Sequence, residues 1–324
     1  MPSSLAVVIV SYNVRELLRA CLRATFASLA RSPELATTVW VVDNASADGS
    51  AAMTAAEFPQ AKLIASDVNL GFAGGNNLAL HRLGFGGAEV GVDMVLLLNP
   101  DAEPLDDAIG QMARFLVEHE QIGGVGAQLL YPDGQFQHGA FRFPGLWQLW
   151  FDLFPPRPRR LLDSRLNGRY DRGLYAAGRP FPIDFALGAA LMIRREAIEA
   201  AGLLDEGYFM YAEEVDWCWR IQRAGWPFYS VPAAHVIHHG GASTRQFRAE
   251  SFLNLWRSRR RLYARFYGPV RRRLAVQIVR LGMRAEIGRV RGAAGRGEIS
   301  AAELHDRVAA ARQVASLFKN IRDE

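Results

Sequence analysis

Two clusters of side chains in this 324-residue chain have the types and spacing to do chemistry together. The first is Asn99-Pro100-Asp101-Ala102-Glu103, where the apolar run Met94–Leu98 stops abruptly at an amide and two carboxylates. Oxygens of this kind are hard ligands for a divalent cation, which also bridges phosphate oxygens. The plainer alternative is a strand end followed by a helix from about Leu105 to Glu118, capped by these acids, with its proline in the first turn. The second cluster is Glu213-Glu214-Val215-Asp216, three acids within one helical turn. They cannot all face one way. Asp216 lies four residues before Arg220 and is expected to pair with it, which leaves a glutamate as a candidate general base. Adjacent carboxylates raise one another's pKa toward the range where a base works near neutrality. A solvated helix N-terminus, which favours acids through its dipole, is the competing account.

Other candidates flank these two. "VVDN" sets Asp43 at the tip of an apolar run, where a carboxylate can accept from a ribose or base; the alternative is a helix cap, a part Ser46 or Asp48 can also play. "NLGFAGGNN" offers glycines for close backbone approach and a helix start for phosphate, although it matches neither a dinucleotide fingerprint nor a P-loop. "HVIHHGGAST" supplies His238 and His239 near a strand end. On an extended segment only one of two adjacent histidines faces a given side, so one of them can complete a cation site begun by Asp101.

The elements that position these groups follow from periodicity. "LAVVIVSYN", "TTVWVVDN", "AKLIAS" and "DMVLLL" read as strands, with helical spacing between them in "VRELLRACLRATFASLA", in 50–58 and in "FAGGNNLALHRL". Strands without apolar–polar alternation, separated by helices, predict an α/β fold: a mostly parallel, doubly wound sheet with helices on both faces. Ligands of such sheets lie beyond the carboxyl ends of the strands, and here those ends read SYN, DNAS, SDVN and NPDAE. "GGVGAQLLYPDGQFQHGAFRFP" predicts a hairpin, "FPIDFALGAALMIRREAIEAAG" a strand then a helix, and "EEVDWCWRIQRAGW" a helix; residues 147–180 carry no assignable period. Domains are expected at 1–245, in halves of 1–130 and 131–245, followed by a basic helical extension over 246–324.

Charge is uneven. From Arg245 onward there are 19 basic and 7 acidic residues, a net +12, against 19 basic and 26 acidic before it, a net −7. An acidic body with a basic appendage suits an anionic surface. Leu274, Ile278 and Leu281 recur at helical spacing among the arginines, as in a helix lying in a membrane interface; packing on the body or a homodimer would use the same pattern. Nucleic acid is disfavoured, since no binding motif accompanies the charge. Cys21 and Cys218 are too few for a disulfide framework, and no apolar run approaches the roughly 18 residues of a membrane span. The chain is expected in the cytoplasm, peripheral on the inner face of the plasma membrane.

Taken in series, "VVIVSYN", "VVDNASADGS", "NLGFAGGNN", "LLLNPDAE", "GAALMIRR", "YFMYAEEVDWCWRIQRAGW" and "VIHHGGAST" resemble the family 2 glycosyltransferases of GT-A fold, over about residues 5–245, and within them the rhamnosyltransferase-like enzymes of cell-wall and polysaccharide assembly. The resemblance implies an inverting, metal-dependent transfer from a nucleotide-diphosphate sugar, dTDP-rhamnose among the candidates, to a glycan or polyprenyl-diphosphate-linked acceptor. It sets the nucleotide against Ser11, Tyr12, Asn13 and Asp43. Asn69, Gly71, Phe72, Gly75, Asn76, Asn77 and Asn99 then line the nucleotide-sugar pocket. Asp101 becomes the retained acid of the family's D-x-D position and His238 its partner on Mg²⁺ or Mn²⁺. Glu214, preceded by Glu213, stands where the catalytic base is usually Asp, and Gly188 and Asp216 fall on the acceptor side. A nucleotidyltransferase, or a non-catalytic glycan-binding scaffold, is the rival account.

Overall fold

The computed structural model describes residues 3–87, 90–240 and 248–319, without the side chains of 248 and 249. The end of the "HHGGAST" motif and the expected boundary near 245 lie outside the described residues.

The described residues form two compact units, one drawn from Met1–Phe143, Tyr170–Phe209 and Glu213–Ser243, the other from Pro144–Arg169, Met210–Ala212 and Thr244–Glu324. The first opens with β1 (Ser4–Ser11), α1 (Arg15–Leu29), β2 (Ala36–Asn44), α2 (Ser50–Glu57), β3 (Lys62–Ser66), α3 (Gly71–Arg82) and β4 (Met94–Leu98). It continues with β5 (Ala102–Pro104), α4 (Ala108–Glu118), β6 (Gly124–Leu130), β7 (Phe136–Gln137) and β8 (Ala140–Phe141). In the second unit α5 (Leu146–Leu153) precedes two 3-10 turns, Arg159–Asp163 and Arg165–Asn167. The first unit then resumes with α6 (Arg172–Ala176), β9 (Phe181–Ile183), β10 (Phe185–Ala186), β11 (Ala190–Arg194), α7 (Arg195–Ala201), α8 (Glu213–Arg223) and β12 (Phe228–His238). Three helices complete the second unit: α9 (Arg248–Phe266), α10 (Pro269–Gly295) and α11 (Ala301–Leu317). Residues 147–169 of the stretch that carried no period thus cluster with the C-terminal helices, while 170–180 belong to the first unit.

The main sheet runs β3-β2-β1-β4-β11-β6-β12-β5. Its first four strands are mutually parallel, as is β12 with β6, while β11 is inserted antiparallel between β4 and β6. Leu5–Ile9 and all of β4 are buried, which is why these strands show no polar alternation. On one face Val7, Ile9, Leu96 and Leu98 share a core with Leu18, Cys21 and Leu22 of α1 and Ile109, Met112 and Leu116 of α4. Each fully buried aliphatic chain contributes about 1.5–3 kcal/mol by leaving water.

One local expectation is corrected. The residues after Asp101 do not cap a helix at Leu105. They form β5, an edge strand antiparallel to β12 with Ala102 opposite His238 and Pro104 opposite Val236. A proline is tolerated there because the edge needs no amide from it. The Leu105 amide still donates to the His235 carbonyl at 2.9 Å, so helix α4 starts only at Ala108.

Candidate active site

The carboxyl ends of β1 and β2 lie side by side, with Ser11 in register with Asp43. Both residues are buried, yet among the described residues the Ser11 hydroxyl and Asp43 Oδ1 have no hydrogen-bond partner. A buried polar atom left unmade costs about 1–3 kcal/mol, so this pair is suited to an incoming donor such as a ribose hydroxyl or base N–H. The other Asp43 oxygen accepts from the Ser46 amide at 3.0 Å. Capping of α2 falls to Asp48, which accepts from the Ser50 amide and hydroxyl and from the Arg15 amide. Asn13, in the left-handed region at φ 53°, ties the two loops: its amide donates to the Ser46 hydroxyl and its side-chain oxygen accepts from Ala47. Tyr12 is half-buried between them.

The segment Asn69–Phe72 is fixed by a residue the motifs did not single out. Asn44, at the end of β2, donates to the Asn69 side chain and the Gly71 carbonyl and accepts from the Leu70 amide, all within 3.0 Å. Gly71 has φ +71°, and a Cβ there would lie 2.1 Å from the Phe209 carbonyl oxygen, which accepts from the Phe72 amide. We therefore expect Gly71→Ala to weaken nucleotide-sugar affinity at least tenfold with the fold retained, since both the strained φ and the clash push this loop away from residue 209; isothermal titration beside circular dichroism checks it. Gly75 lets α3 approach β1, where a Cβ would meet Val10 at 2.7 Å. Asn76 donates within its own helix to the Phe72 carbonyl. Asn77 is spent on another loop: its amide donates to the Leu204 carbonyl and Glu206 and accepts from the Leu204 amide. With every polar atom so engaged, Asn77 holds the 204–206 turn and has none left for a ligand.

The third corner is where β5 meets β12. His238 Nε2 lies 3.5 Å from Asp101 Oδ1 and 3.5 Å from the Asn99 amide nitrogen, while His238 Nδ1 faces Gln137 Oε1 at 3.1 Å. An amide oxygen only accepts, so Nδ1 carries the proton and Nε2 is left to face the carboxylate. Between a carboxylate oxygen and an imidazole nitrogen at this separation belongs either a proton or a cation. Burial by itself raises the Asp101 carboxyl, but His238 beside it outweighs that and holds it below the usual range. His239 turns the other way and bonds Glu103 at 2.8 Å, which removes that acid from the cluster. No group of three or more His, Cys, Asp or Glu placed to hold a metal occurs among the described residues. Two protein donors nevertheless fit a hard cation that keeps waters and takes its remaining ligands from substrate phosphates.

The fourth corner is the start of α8. Glu213 is buried with one carboxylate oxygen unpartnered, and Glu214 is half-buried beside it. Burial raises both: Glu214 is pushed up to about 7, and Glu213, also facing the Glu214 charge, stands well above the ordinary value. Two non-glycine residues in left-handed backbone, Tyr211 at φ 72° and Ala212 at φ 65°, lead into the helix, a strain typical of functional corners. Asp216 is fully buried, ion-paired with Arg220 at 2.7 Å and accepting from Tyr208, while Arg220 also donates to the Ala201 and Leu203 carbonyls. It pins α8 to the end of α7 and presents no surface to an acceptor.

A single stretch bonds to both α8 and Asn99. Gln222 of α8 donates to the Ile183 and Asp184 carbonyls. Residues 214, 218 and 222 share one face of that helix. Gly188 leaves room for the Phe72 ring, whose Cζ would lie 3.0 Å from a Cβ there. Next to it the Ala189 carbonyl accepts from the Asn99 amide at 3.1 Å, and Ala190 pairs with Leu98. Phe72 and Asn99 thus both meet the turn at 187–190. Asn44, Gln137 and Phe209 are the supporting residues the sequence did not signal, because each acts through a long-range bond with no local pattern.

Comparison with known proteins shows the family. Residues 6–201 match the model of glycosyl transferase family 2, and the chain belongs to that family. It is a glycosyltransferase of GT-A fold. It is 31% identical over 224 residues to an N-acetylglucosaminyl-diphospho-decaprenol L-rhamnosyltransferase of Mycobacterium tuberculosis, covering 67% of this chain and 71% of that protein. Rhamnosyltransferase WbbL of Escherichia coli is 34% identical over 70 residues, 22% of this chain and 26% of the relative. Among solved structures, a mannosyltransferase from Pyrobaculum calidifontis in complex with GDP-Man and Mn²⁺ superposes with TM-score 0.54 at 16% identity, over 97% of this chain and 83% of that one. GalNAc-T7 with UDP, GalNAc and Mn²⁺ gives 0.52 at 16% identity, over 73% of this chain and 44% of that one. Family membership sets aside the nucleotidyltransferase and scaffold alternatives.

Proposed function

We propose that this chain is an inverting rhamnosyltransferase that moves the sugar of a nucleotide-diphosphate donor, dTDP-rhamnose, to a hydroxyl of a polyprenyl-diphosphate-linked glycan. It works in the cytoplasm at the inner face of the plasma membrane. What supports the reading is the 183–190 stretch, which bonds to α8 through Gln222 and to Asn99, two residues before Asp101, through the Ala189 carbonyl. The relative from Mycobacterium tuberculosis, whose name specifies both rhamnose and a diphospho-decaprenol acceptor, supports the donor and acceptor class.

In this reading Ser11 and Asp43 bind the nucleoside through their unpartnered oxygens, and Asn69, Gly71 and Phe72 close over the donor. Asp101 and His238 hold Mg²⁺ or Mn²⁺, which when bound neutralises charge on the departing diphosphate. Glu214 takes the proton of the acceptor hydroxyl. That oxygen forms a bond to the anomeric carbon as the bond from carbon to phosphate oxygen breaks on the opposite face, and the nucleoside diphosphate leaves. Gly188, which lets the Phe72 ring pack against the 187–190 turn, shapes the acceptor side. The test is a donor screen with dTDP-, UDP- and GDP-sugars, with and without Mn²⁺, followed by NMR of the product anomer. Metal-dependent transfer from dTDP-rhamnose with inversion is expected; transfer with retention, or none from dTDP-rhamnose while a UDP- or GDP-sugar reacts, refutes it.

A further inference from the structure

The mechanism leaves unused the most basic part of the molecule, the second unit. Its longest helix, α10, buries Ala275, Val279, Gly282, Met283 and Val290. Other apolar residues of the helix face outward: Val270 is 70% exposed, and Leu274 and Leu281 are each 48% exposed. At about 100° per residue these three fall within an arc of roughly 40°. Arg273, Arg284 and Arg291, all exposed, form a second line about 80° round the helix from the first. Among the described residues none of the three is paired with an acid. The sole acid of α10, Glu286, is engaged with Arg289 and with Arg307 of α11. Against α10 lies α5, whose Leu153 occupies the space a Cβ on Gly282 would need. This short helix exposes Trp147 and Trp150, and the turns after it expose Arg157, Arg159, Arg160, Arg165 and Leu166.

A line of aliphatic side chains beside a parallel line of arginines is the pattern of a helix lying in a bilayer interface, and exposed tryptophans are the usual anchors there. No helix among the described residues is long and apolar enough to cross a membrane. We propose that α10, with the tryptophans of α5, is an interfacial docking surface for an anionic phospholipid bilayer. Charge complementarity selects this occupant, since seven arginines and one glutamate on α10 suit phosphatidylglycerol headgroups. The inference deepens the membrane-side location proposed above, and its test uses neither donor nor acceptor, so the two readings fail separately.

The test is co-sedimentation of the full chain with vesicles of phosphatidylcholine alone or with added phosphatidylglycerol. Binding is expected only to the anionic vesicles and to weaken with salt. Replacing Arg273, Arg284 and Arg291 together by Gln should weaken it roughly 100-fold, from about 1 kcal/mol per arginine. The double variant Leu274→Glu, Leu281→Glu should abolish it while circular dichroism and the thermal unfolding midpoint stay unchanged. Equal binding to neutral and anionic vesicles, no binding to either, or a homodimer in sedimentation velocity that the Leu274/Leu281 variant splits would each overturn the proposal.

Discussion

Glu214→Gln lowers kcat by about 10²–10⁴-fold, the usual contribution of a positioned general base, with little change in donor affinity. The expectation follows from position and charge. The side chain is half-buried in the first turn of α8, and burial raises its pKa to about 7. Wild-type kcat/KM should rise with pH through that value, because the ionised form takes the proton; Gln removes that limb. Stability runs the other way. A carboxyl raised from 4.5 to about 7 on folding contributes stability fully below pH 4.5 and loses it as pH climbs to 7. Glu213→Gln is the matched control. Burial and the neighbouring Glu214 charge raise the Glu213 carboxyl well above its ordinary value, which favours its neutral form, so the isosteric amide should leave kcat within a few-fold. A larger loss from Glu213 than from Glu214 exchanges their roles.

Asp101→Ala has the larger effect on binding. Turnover should fall by about 10³-fold or more, since a metal supplies several kcal/mol at the developing charge and ~4 kcal/mol is three decades of rate. The fold should hold, because the strand register around residue 101 rests on backbone bonds: the His239 amide to the Asp101 carbonyl, and Ala102 opposite His238. Stopped assays with Mn²⁺ titration check it. Gln137→Leu should act more mildly on the same site, weakening Mn²⁺ about 10–100-fold by releasing the His238 ring, as loss of an outer hydrogen bond to a ligating histidine usually does.

Much of the site was legible because apolar runs end where a parallel sheet presents its ligands. The tips at Ser11, Asp43 and Asn99 carry polar residues that no core strand needs, and Asp216–Arg220 announced itself by helical spacing. What escaped the sequence depends on distant partners. Residues 102–104 read as a cap, since nothing local reveals that β12 runs alongside them. Asn77 looked like pocket lining until its amide was found holding Leu204 and Glu206. Residues 147–180 defied assignment because α5 is short and two 3-10 turns follow it, too little for a period to emerge. The stripe of Leu274, Ile278 and Leu281 was visible, but its direction was not. The core of that unit takes Ala275, Val279, Gly282 and Met283 instead, leaving Leu274 and Leu281 outward.

The central claim is a division of labour: a cation at residue 101 grips the donor's diphosphate, while a separate carboxylate at 214 handles the acceptor's proton. Calorimetric titration of dTDP-rhamnose, with and without Mn²⁺, into the wild type, Asp101→Ala and Glu214→Gln addresses it most directly. Metal-enhanced binding that survives in the Glu214 variant and vanishes in the Asp101 variant is the predicted result. Metal-enhanced binding undiminished in Asp101→Ala would contradict it.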